Sequence, residues 1–373
     1  NGFPPISAKY GRISLAIAQT NPSILYACLA DSNYYTSSIQ KTTDAGASWS
    51  AVATPFDNSA AINGTHLGGQ GWYNNFIAVH PADPNTLFSG GINLFKSTNG
   101  GTSWSRISDG YGTPYVHVDQ HAIAFNPANP SVIYFGNDGG MFKSADGGGS
   151  FSAINNNLAT VQFYSGAVHP TAAVYYGGTQ DNGTLRTLNP SSWDVAISGD
   201  GGATAVDFSN PANVYSEYVY LAILKSTSSG APNSWVKAMT GIPASGSKLS
   251  NGTTDRCEFI APLVMDPTNS QVLVAGTYKI YRTINGAGTW TAISSDLTGD
   301  GAGSLGSSGA VISAIAVAKS LSSTIYIGTS GSGSAASRVS VTTNTGSSWT
   351  DLTKAPLPNL YVKAIAIDPA NRD

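Results

Sequence analysis

Short apolar runs separated by turn-forming residues recur along the whole chain. Ile123–Phe125 and Val132–Tyr134 are two such runs, joined by an Asn-Pro turn, and Ile77–Val79 is joined to Leu87–Phe88 in the same way. Related copies begin at Leu15, Ala167, Ala205, Leu263 and Ala314. Each run is short, rich in β-branched or aromatic residues, and bounded by Gly or Pro, which is typical of strands. The pattern predicts an all-β protein in which an Asn-Pro turn joins strand A to strand B.

An eight-residue phrase that ends in an aromatic residue follows each such pair. The clear copies span residues 42–49, 97–104, 144–151, 283–290 and 342–349, and degraded copies end at Trp193 and Trp235. Its Asp or Asn suits a tight turn because the side chain can bond the backbone two residues on, and its Gly supplies a positive φ. We expect the closing rings to be buried at the ends of blades. The tryptophans concerned are Trp49, Trp104, Trp193, Trp235, Trp290 and Trp349.

The order strand A, turn, strand B, loop, strand C, phrase, strand D repeats about every 40 to 60 residues, which is the period of propeller blades. The sequence therefore predicts a β-propeller of about seven four-stranded blades, with the repeated phrase as the C–D turn of each blade. Residues 1–358 would form the propeller. Residues 359–373 read as the first strand of an unfinished eighth unit. We expect that the natural protein continues beyond it.

The phrase Ser/Thr-x-Asp-x-Gly-x-x-Trp resembles the Asp-box, or BNR repeat, of sialidases, sortilin-type receptors, two-propeller xyloglucanases and uncharacterised secreted bacterial propellers. The resemblance covers about Gly11 to Asn371 and is strongest to the secreted bacterial proteins. It implies the fold and leaves the function open. Sialidases carry an Arg-Ile-Pro phrase, whereas Arg12 here precedes Ile13 and Ser14, so sialidase activity is not expected. Asn137–Gly140 resembles a xyloglucanase segment that holds a catalytic Asp, although it lies in the third unit rather than the first.

Composition narrows the classes of partner. Charged residues make up 10% of the chain and the net charge is −3, so no basic surface for nucleic acid is expected. No apolar run is long enough to span a membrane. Low charge with abundant Ser, Thr and Asn favours an extracellular protein, and the resemblance to secreted bacterial propellers implies a bacterial one. Cys28 and Cys257 are expected to pack as free thiols, with a single bridge between them as the open alternative.

Antiparallel connectivity assigns the loops to two faces of a propeller. The A–B turns and the repeated phrases share one face, and the D–A and B–C loops share the opposite one. Scarce functional side chains fall in the latter loops, where propellers usually bind ligands. The candidate ligand-binding residues are His66, Gln70, Trp72, Tyr73, His117, His121, Gln180 and Arg256. The candidate catalytic carboxylates are Asp119, Asp138, Asp181, Asp200 and Glu258.

Three functions remain open on these residues. The first is an extracellular binding or structural propeller whose ligand is a glycan, a peptide or a partner subunit. The second is a glycoside hydrolase of the xyloglucanase-like type, because paired carboxylates are what glycoside hydrolysis needs. The third is a subunit of an extracellular assembly, in which a further propeller or subunit pairs with the strand at 359–368. Asp and His together could hold a hard or borderline cation, but their spacing matches no known metal-binding loop, so no metal is expected. No cofactor is expected either.

Overall fold

A computed structural model describes residues 2–4, 10–189, 192–332 and 335–372. Within these ranges the chain forms thirty strands and no helix. The strands belong to two compact units, residues 1–160 and residues 161–373. No helix in the described ranges has the length and apolar character needed to cross a membrane.

The first unit contains three four-stranded sheets and one small hairpin. Sheet 1 consists of β1 (Tyr10–Ile17), β2 (Leu25–Asp31), β3 (Thr36–Thr42) and β4 (Ser50–Val52). The hairpin consists of β5 (Phe56–Asp57) and β6 (Gly64–Thr65). Sheet 2 consists of β7 (Phe76–His80), β8 (Asp83–Gly90), β9 (Leu94–Ser97) and β10 (Ser105–Arg106). Sheet 3 consists of β11 (Gln120–Phe125), β12 (Ile133–Asn137), β13 (Gly140–Ser144) and β14 (Ser152–Ala153).

The second unit contains four four-stranded sheets. Sheet 4 consists of β15 (Phe163–Val168), β16 (Tyr175–Thr179), β17 (Gly183–Asn189) and β18 (Ser192–Ile197). Sheet 5 consists of β19 (Thr204–Val206), β20 (Val214–Glu217), β21 (Ile223–Ser226) and β22 (Trp235–Lys237). Sheet 6 consists of β23 (Leu263–Met265), β24 (Leu273–Gly276), β25 (Ile280–Thr283) and β26 (Thr291–Ala292). Sheet 7 consists of β27 (Ile312–Val317), β28 (Ile325–Thr329), β29 (Val339–Thr342) and β30 (Thr350–Asp351).

Every four-stranded sheet is an antiparallel meander in which each strand pairs with its neighbour in the chain. This repeated meander is the blade architecture of a β-propeller, and it confirms the predicted all-β fold class. The hairpin of β5 and β6 was not predicted. It lies in the connection between sheets 1 and 2, immediately before the loop at 66–75.

Apolar side chains from successive sheets pack against each other within each unit. In the first unit, Cys28 and Ile39 of sheet 1 meet Leu87 of sheet 2, and a second cluster joins Phe88 of sheet 2 to Phe135 of sheet 3. In the second unit, three clusters join sheets 4 and 5, sheets 5 and 6, and sheets 6 and 7. Burial between neighbouring blades therefore supplies the main stabilisation of the repeat.

The repeated phrase is held by side-chain bonds that span four residues. Asp44 Oδ1 accepts the backbone N–H of Ser48 at 2.8 Å, and Thr42 Oγ1 accepts the N–H of Gly46 at 2.9 Å. Gly46 has a φ of +92°, as predicted for a glycine in this turn. The sequence predicted that this Asp would bond the backbone two residues on. In the structure Asp44 instead accepts the N–H of Ser48, four residues on, and so spans the whole turn. Hydrogen bonds from the hydroxyl and the N–H of Ser48 and from the hydroxyl of Thr42 hold the pKa of Asp44 low, at about 2.

The prediction that all six phrase tryptophans are buried is wrong for four of them. Trp235 and Trp290 are buried, at 6% and 4% exposure. Trp49, Trp104 and Trp349 are half-buried. Trp193 is 43% exposed, because Ala196 on the same strand packs against sheet 5 while Trp193 projects from the other side of sheet 4, beside Phe163.

The segment after β30 lies against sheet 7 of its own unit. The backbone N–H of Val362 donates to Thr329 O at 3.2 Å, and Ser313 Oγ donates to Val362 O at 2.7 Å. The segment forms no paired strand among the described residues, so the strand predicted from Tyr361 onward is replaced by irregular chain.

The two cysteines are free thiols, as expected, and form no disulfide bridge with each other. Cys28 is buried and Cys257 is half-buried.

Candidate functional site

Three loops of the first unit bring seven predicted or newly identified polar side chains together. Tyr73 and Asn74 lie in the loop before β7, Asp119 precedes β11, His121 lies at the start of β11, and Asp138 joins β12 to β13. Side-chain hydrogen bonds link these loops directly. We call the set the Asp119–Asp138 cluster; its members are Gln70, Tyr73, Asn74, His117, Asp119, His121 and Asp138.

The backbone around Asp119 is fixed by sheet 2. Its N–H donates to Ile92 O at 3.0 Å, and the N–H of Gln120 donates to Gly91 O at 2.8 Å. Asp119 has a φ of 64°, a left-handed conformation that Asp tolerates better than most residues. Gln70 Nε2 and Asn74 Nδ2 both donate to Oδ1 of Asp119, the latter at 2.6 Å. The carboxyl is therefore held from one side by two amides.

Asp138 occupies the tight connection between β12 and β13. Asn137 Oδ1 accepts the N–H of Gly139 at 3.1 Å, and Gly140 adopts a φ of +104° that closes the turn. The side chain of Asp138 is only 8% exposed. Its Oδ1 accepts the hydroxyl of Tyr73 at 2.8 Å and lies 2.6 Å from Nε2 of His121. The ring of Tyr73 also meets that of His121 edge-on, at 4.5 Å between centroids.

The two carboxyls of the cluster have different electrostatic surroundings. Burial and the nearby charge of Asp138 raise the pKa of Asp119 to about 6, against the opposing effects of the Asn74 hydrogen bond and of His117 and His121. The hydrogen bond to Asp138 raises the pKa of His121. Asp119 therefore keeps its proton to a higher pH than an ordinary aspartate does, with the carboxyl of Asp138 nearby.

Trp72 lies next to the cluster and outside the core. It is 59% exposed, and its ring is 5.4 Å from that of Tyr73. Arg12 on β1 donates Nη1 to the carbonyl oxygens of Trp72 and Tyr73, at 3.0 and 2.8 Å. This guanidinium ties the loop to sheet 1, so the exposed indole is carried on a fixed backbone.

Two histidines of the first unit take less accessible positions. His66 is completely buried between β3 and β8, with Thr36 Oγ1 2.9 Å from Nδ1 and Ser89 Oγ 3.0 Å from Nε2. Burial lowers its pKa to about 3, so the ring is neutral and structural. His66 was predicted to bind a ligand, but its ring is buried and does not reach the surface. His117 is half-buried, and its ring packs against Gly139, where an added Cβ would lie 2.4 Å from the His117 side chain.

The second unit contains a separate pair of predicted carboxylates. The backbone N–H of Asp181, which has a φ of 58°, donates to Asp200 Oδ1 at 3.1 Å. Burial and these two carboxylates raise the pKa of Tyr164 and of Tyr218. Gln180 lies beside them and is fixed through its own N–H, which donates to the carbonyl oxygen of Gln162 at 3.0 Å.

Arg256 and Glu258 contact other parts of the second unit. Arg256 is 4% exposed, and its guanidinium donates to Ala310 O at 3.0 Å, to Gly301 O at 3.0 Å and to Thr298 Oγ1 at 3.2 Å. Arg256 was predicted to bind a ligand. Its guanidinium instead holds the loop at 298–310 together. Burial raises the pKa of Glu258, against the effects of a hydrogen bond with Tyr361 and the charge of Lys363.

Sequence reasoning missed two residues. Asn74 lies in an Asn-rich chain, and only its contact with Asp119 distinguishes it. Glu217, at the end of β20, is fully buried and accepts the N–H groups of Leu221 at 2.9 Å and of Ala261 at 2.8 Å. Burial raises the pKa of Glu217 to about 8. Glutamate is scarce in this chain, and that scarcity was the one feature of the sequence that could have drawn attention to Glu217. Its side chain joins two loops.

No group of three or more His, Cys, Asp and Glu among the described residues could hold a metal ion.

Comparison with known proteins gives one curated relative in sequence. No protein-family model matches the chain. The xyloglucanase of Hypocrea jecorina (strain QM6a) is 27% identical over 215 residues, which cover 52% of this chain and 23% of that protein. The chain therefore resembles part of a xyloglucanase and spans less than a quarter of its length.

Solved structures with similarity to the chain include two GH74 proteins. The GH74 enzyme of Niastella koreensis is 18% identical with a TM-score of 0.31, over 91% of this chain and 64% of that one. The GH74 xyloglucanase of Xanthomonas campestris is 14% identical with a TM-score of 0.32, over 92% and 61%. YCF48 from Cyanidioschyzon merolae is 13% identical with a TM-score of 0.30, over 92% and 98%.

Proposed function

We propose that the Asp119–Asp138 cluster is the catalytic centre of a secreted glycoside hydrolase that acts on a polysaccharide of the xyloglucan type. The observation that carries this proposal is a carboxyl of raised pKa beside a second, hydrogen-bonded carboxyl. Burial and the charge of Asp138 raise the pKa of Asp119 to about 6, while Asp138 accepts the hydroxyl of Tyr73 and lies against His121. In glycosidases a carboxyl of raised pKa serves as the acid beside a second carboxylate.

In this proposal each carboxyl has one task. Asp119 gives its proton to the glycosidic oxygen as the bond to the anomeric carbon breaks, so that the departing sugar leaves as an alcohol. Asp138 supports the opposite side of the reaction in one of two ways. It takes a proton from the water that bonds to the anomeric carbon, or it bonds to that carbon itself until water, losing a proton to Asp119, displaces it. The separation of the two carboxyls around the bound sugar decides between these routes.

Trp72 and the sequence relative support the substrate class. An indole that is 59% exposed on an anchored loop offers an apolar face for a sugar ring. The relative in sequence is named a xyloglucanase, and this chain covers 23% of it. Because this chain corresponds to less than a quarter of that protein, xyloglucan hydrolysis must be measured with this chain alone.

The experiment measures reducing ends released from xyloglucan and from an unbranched β-glucan. We expect turnover of xyloglucan, and a loss of about 10² to 10⁴-fold in Asp119→Asn and in Asp138→Asn. Asp44→Asn is the matched control, since Asn99 occupies the equivalent turn position and donates to Ser103 there at 2.8 Å. Absence of turnover by the unmodified chain, or full activity of both site variants, overturns the proposal.

The exposed Trp72 also supports a second function, glycan binding without hydrolysis. Titration calorimetry with xyloglucan oligosaccharides separates the two, because a pure binding protein gives heat of association and no new reducing ends. In that case Asp119→Asn should bind as tightly as the unmodified chain.

A further inference from the structure

We infer that Gln70 and Asn74 are positioning residues that place the proton of Asp119 on Oδ2. Gln70 Nε2 and Asn74 Nδ2 donate to the same oxygen, Oδ1, the latter at 2.6 Å. The catalytic use of that proton rests on the proposed function. Its location on the carboxyl does not.

The chemistry follows from the lone pairs of one oxygen. A carboxyl oxygen has two principal acceptor directions, and two amide N–H groups occupy both of them on Oδ1. A proton on Oδ1 would have to displace one amide, whereas Oδ2 can carry it without breaking either bond. The neutral carboxyl then keeps Oδ1 as acceptor and offers O–H from Oδ2.

The fold gives these amides little freedom to turn away. Asn74 is completely buried, and its N–H and that of Tyr73 donate to Gln70 O at 3.1 and 2.8 Å. The Oδ1 atom of Asn74 is buried and accepts no hydrogen bond from a described residue. Rotating the amide would place this oxygen against the carboxylate, so the contact with Asp119 fixes its orientation.

Other charged groups also face Asp119. Asp138 approaches from the β12–β13 connection and favours the protonated form, while His117 and His121, from the loop before β11 and its first residues, favour the ionised form. The Asn74 hydrogen bond acts in the same direction as the histidines. Removing either amide should therefore make Asp119 harder to ionise and leave the other influences in place.

The test is a carboxyl-carbon NMR titration of Asp119 in the unmodified chain, Asn74→Ala and Gln70→Ala. We expect each variant to raise the pKa of Asp119 by roughly one pH unit, a tenfold change in proton affinity. Asn75→Ala is the matched control, because Asn75 is an equally buried neighbour whose amide contacts Cys28 O at 3.5 Å. An unchanged pKa in both variants overturns the inference. Gln70 is only half-buried, so Gln70→Ala provides the same pKa measurement if Asn74→Ala does not fold.

Neutron diffraction at about pH 5 reads the proton position directly. A deuteron on Oδ2 supports the inference, and a deuteron on Oδ1 overturns it. Both measurements work without substrate, so a chain that fails to cleave xyloglucan but shows the expected titration refutes the proposed function alone. If cleavage occurs, the alkaline limb of its pH profile should move upward in Asn74→Ala. A merely structural loss would lower the rate at every pH.

Discussion

The Nε2 atom of His121 lies 2.6 Å from Oδ1 of Asp138, an oxygen that also accepts the hydroxyl of Tyr73. The contact joins the first residues of β11 to the β12–β13 connection of the same sheet. Because this bond favours the charged imidazole, the pKa of His121 is raised.

The His121–Asp138 contact should stabilise the fold at mildly acid pH. A raised folded-state pKa means that this stabilisation is complete below the ordinary histidine pKa and disappears as pH rises through the folded value. We expect His121→Gln to lose about 0.5 to 1 kcal/mol of unfolding free energy at about pH 5.5 and less at about pH 9. Urea denaturation at both pH values measures this. Tyr73→Phe removes the other hydrogen bond to Asp138 and leaves His121 in place, so its loss of unfolding free energy should be the same at both pH values.

Hydrolysis should decline as Asp119 loses its proton. With a pKa of about 6, the acid form dominates below that pH and falls about tenfold for each further pH unit above it. Measurement of kcat/KM on xyloglucan oligosaccharides between about pH 4 and 9 should show an alkaline limb centred near 6. A rate that stays constant from about pH 5 to 8 would exclude Asp119 as the acid.

Asp119→Asn should stabilise the protein at neutral pH while removing activity. The folded-state pKa of about 6 exceeds the ordinary value of 3.8, so ionised Asp119 costs stability above pH 6, and this cost vanishes as pH falls below both values. We expect a gain of about 1 to 2 kcal/mol near pH 8, since each pH unit corresponds to about 1.4 kcal/mol. Near pH 3 the gain should be absent. Equal stability of variant and parent at pH 8 would contradict the burial of an ionised group.

The strands and turns were predictable because their determinants are local. Thr42, Asp44 and Ser48 satisfy one another within a single turn, so a short stretch of sequence specifies that structure. Ring burial was not predictable in the same way. Trp290 and Trp193 close similar phrases, but Trp290 is buried in the cluster between sheets 5 and 6, whereas Trp193 is 43% exposed. That difference depends on the chain outside the phrase.

The site was predictable only as a set of loops. Antiparallel connectivity placed Asp119, His121 and Asp138 on one face. In the structure His121 contacts Asp138, and the charges of both affect the pKa of Asp119. It could not show that His66, on the same loop as Trp72, turns inward between two sheets. It also could not distinguish Asn74 from other asparagines, because the role of Asn74 comes from one contact across the fold.

The exposure of the phrase tryptophans predicts unequal costs of truncation. Trp290 is 4% exposed, and its Nε1 donates to Ala238 O at 2.8 Å. We expect Trp290→Ala to lose about 3 to 5 kcal/mol of unfolding free energy, because a large cavity and an unpaired carbonyl remain. Trp193→Ala should lose less than about 1 kcal/mol. Chemical denaturation measures both losses. If the two variants lose equal unfolding free energy, the stabilisation by the ring depends on the phrase and not on the sheet packed against it.

Trp72 should contribute to binding and little to stability. Its ring is 59% exposed, and the backbone of its loop is held by Arg12 through carbonyl oxygens that remain when the ring is removed. We therefore expect Trp72→Ala to change the unfolding free energy by less than about 0.5 kcal/mol. Loss of a sugar-stacking surface should weaken oligosaccharide binding about tenfold, equivalent to about 1.4 kcal/mol. Calorimetric titration in the Asp119→Asn background isolates binding from turnover. Trp72→Phe serves as the conservative comparison. Unchanged affinity in Trp72→Ala would show that the glycan does not bind at Trp72.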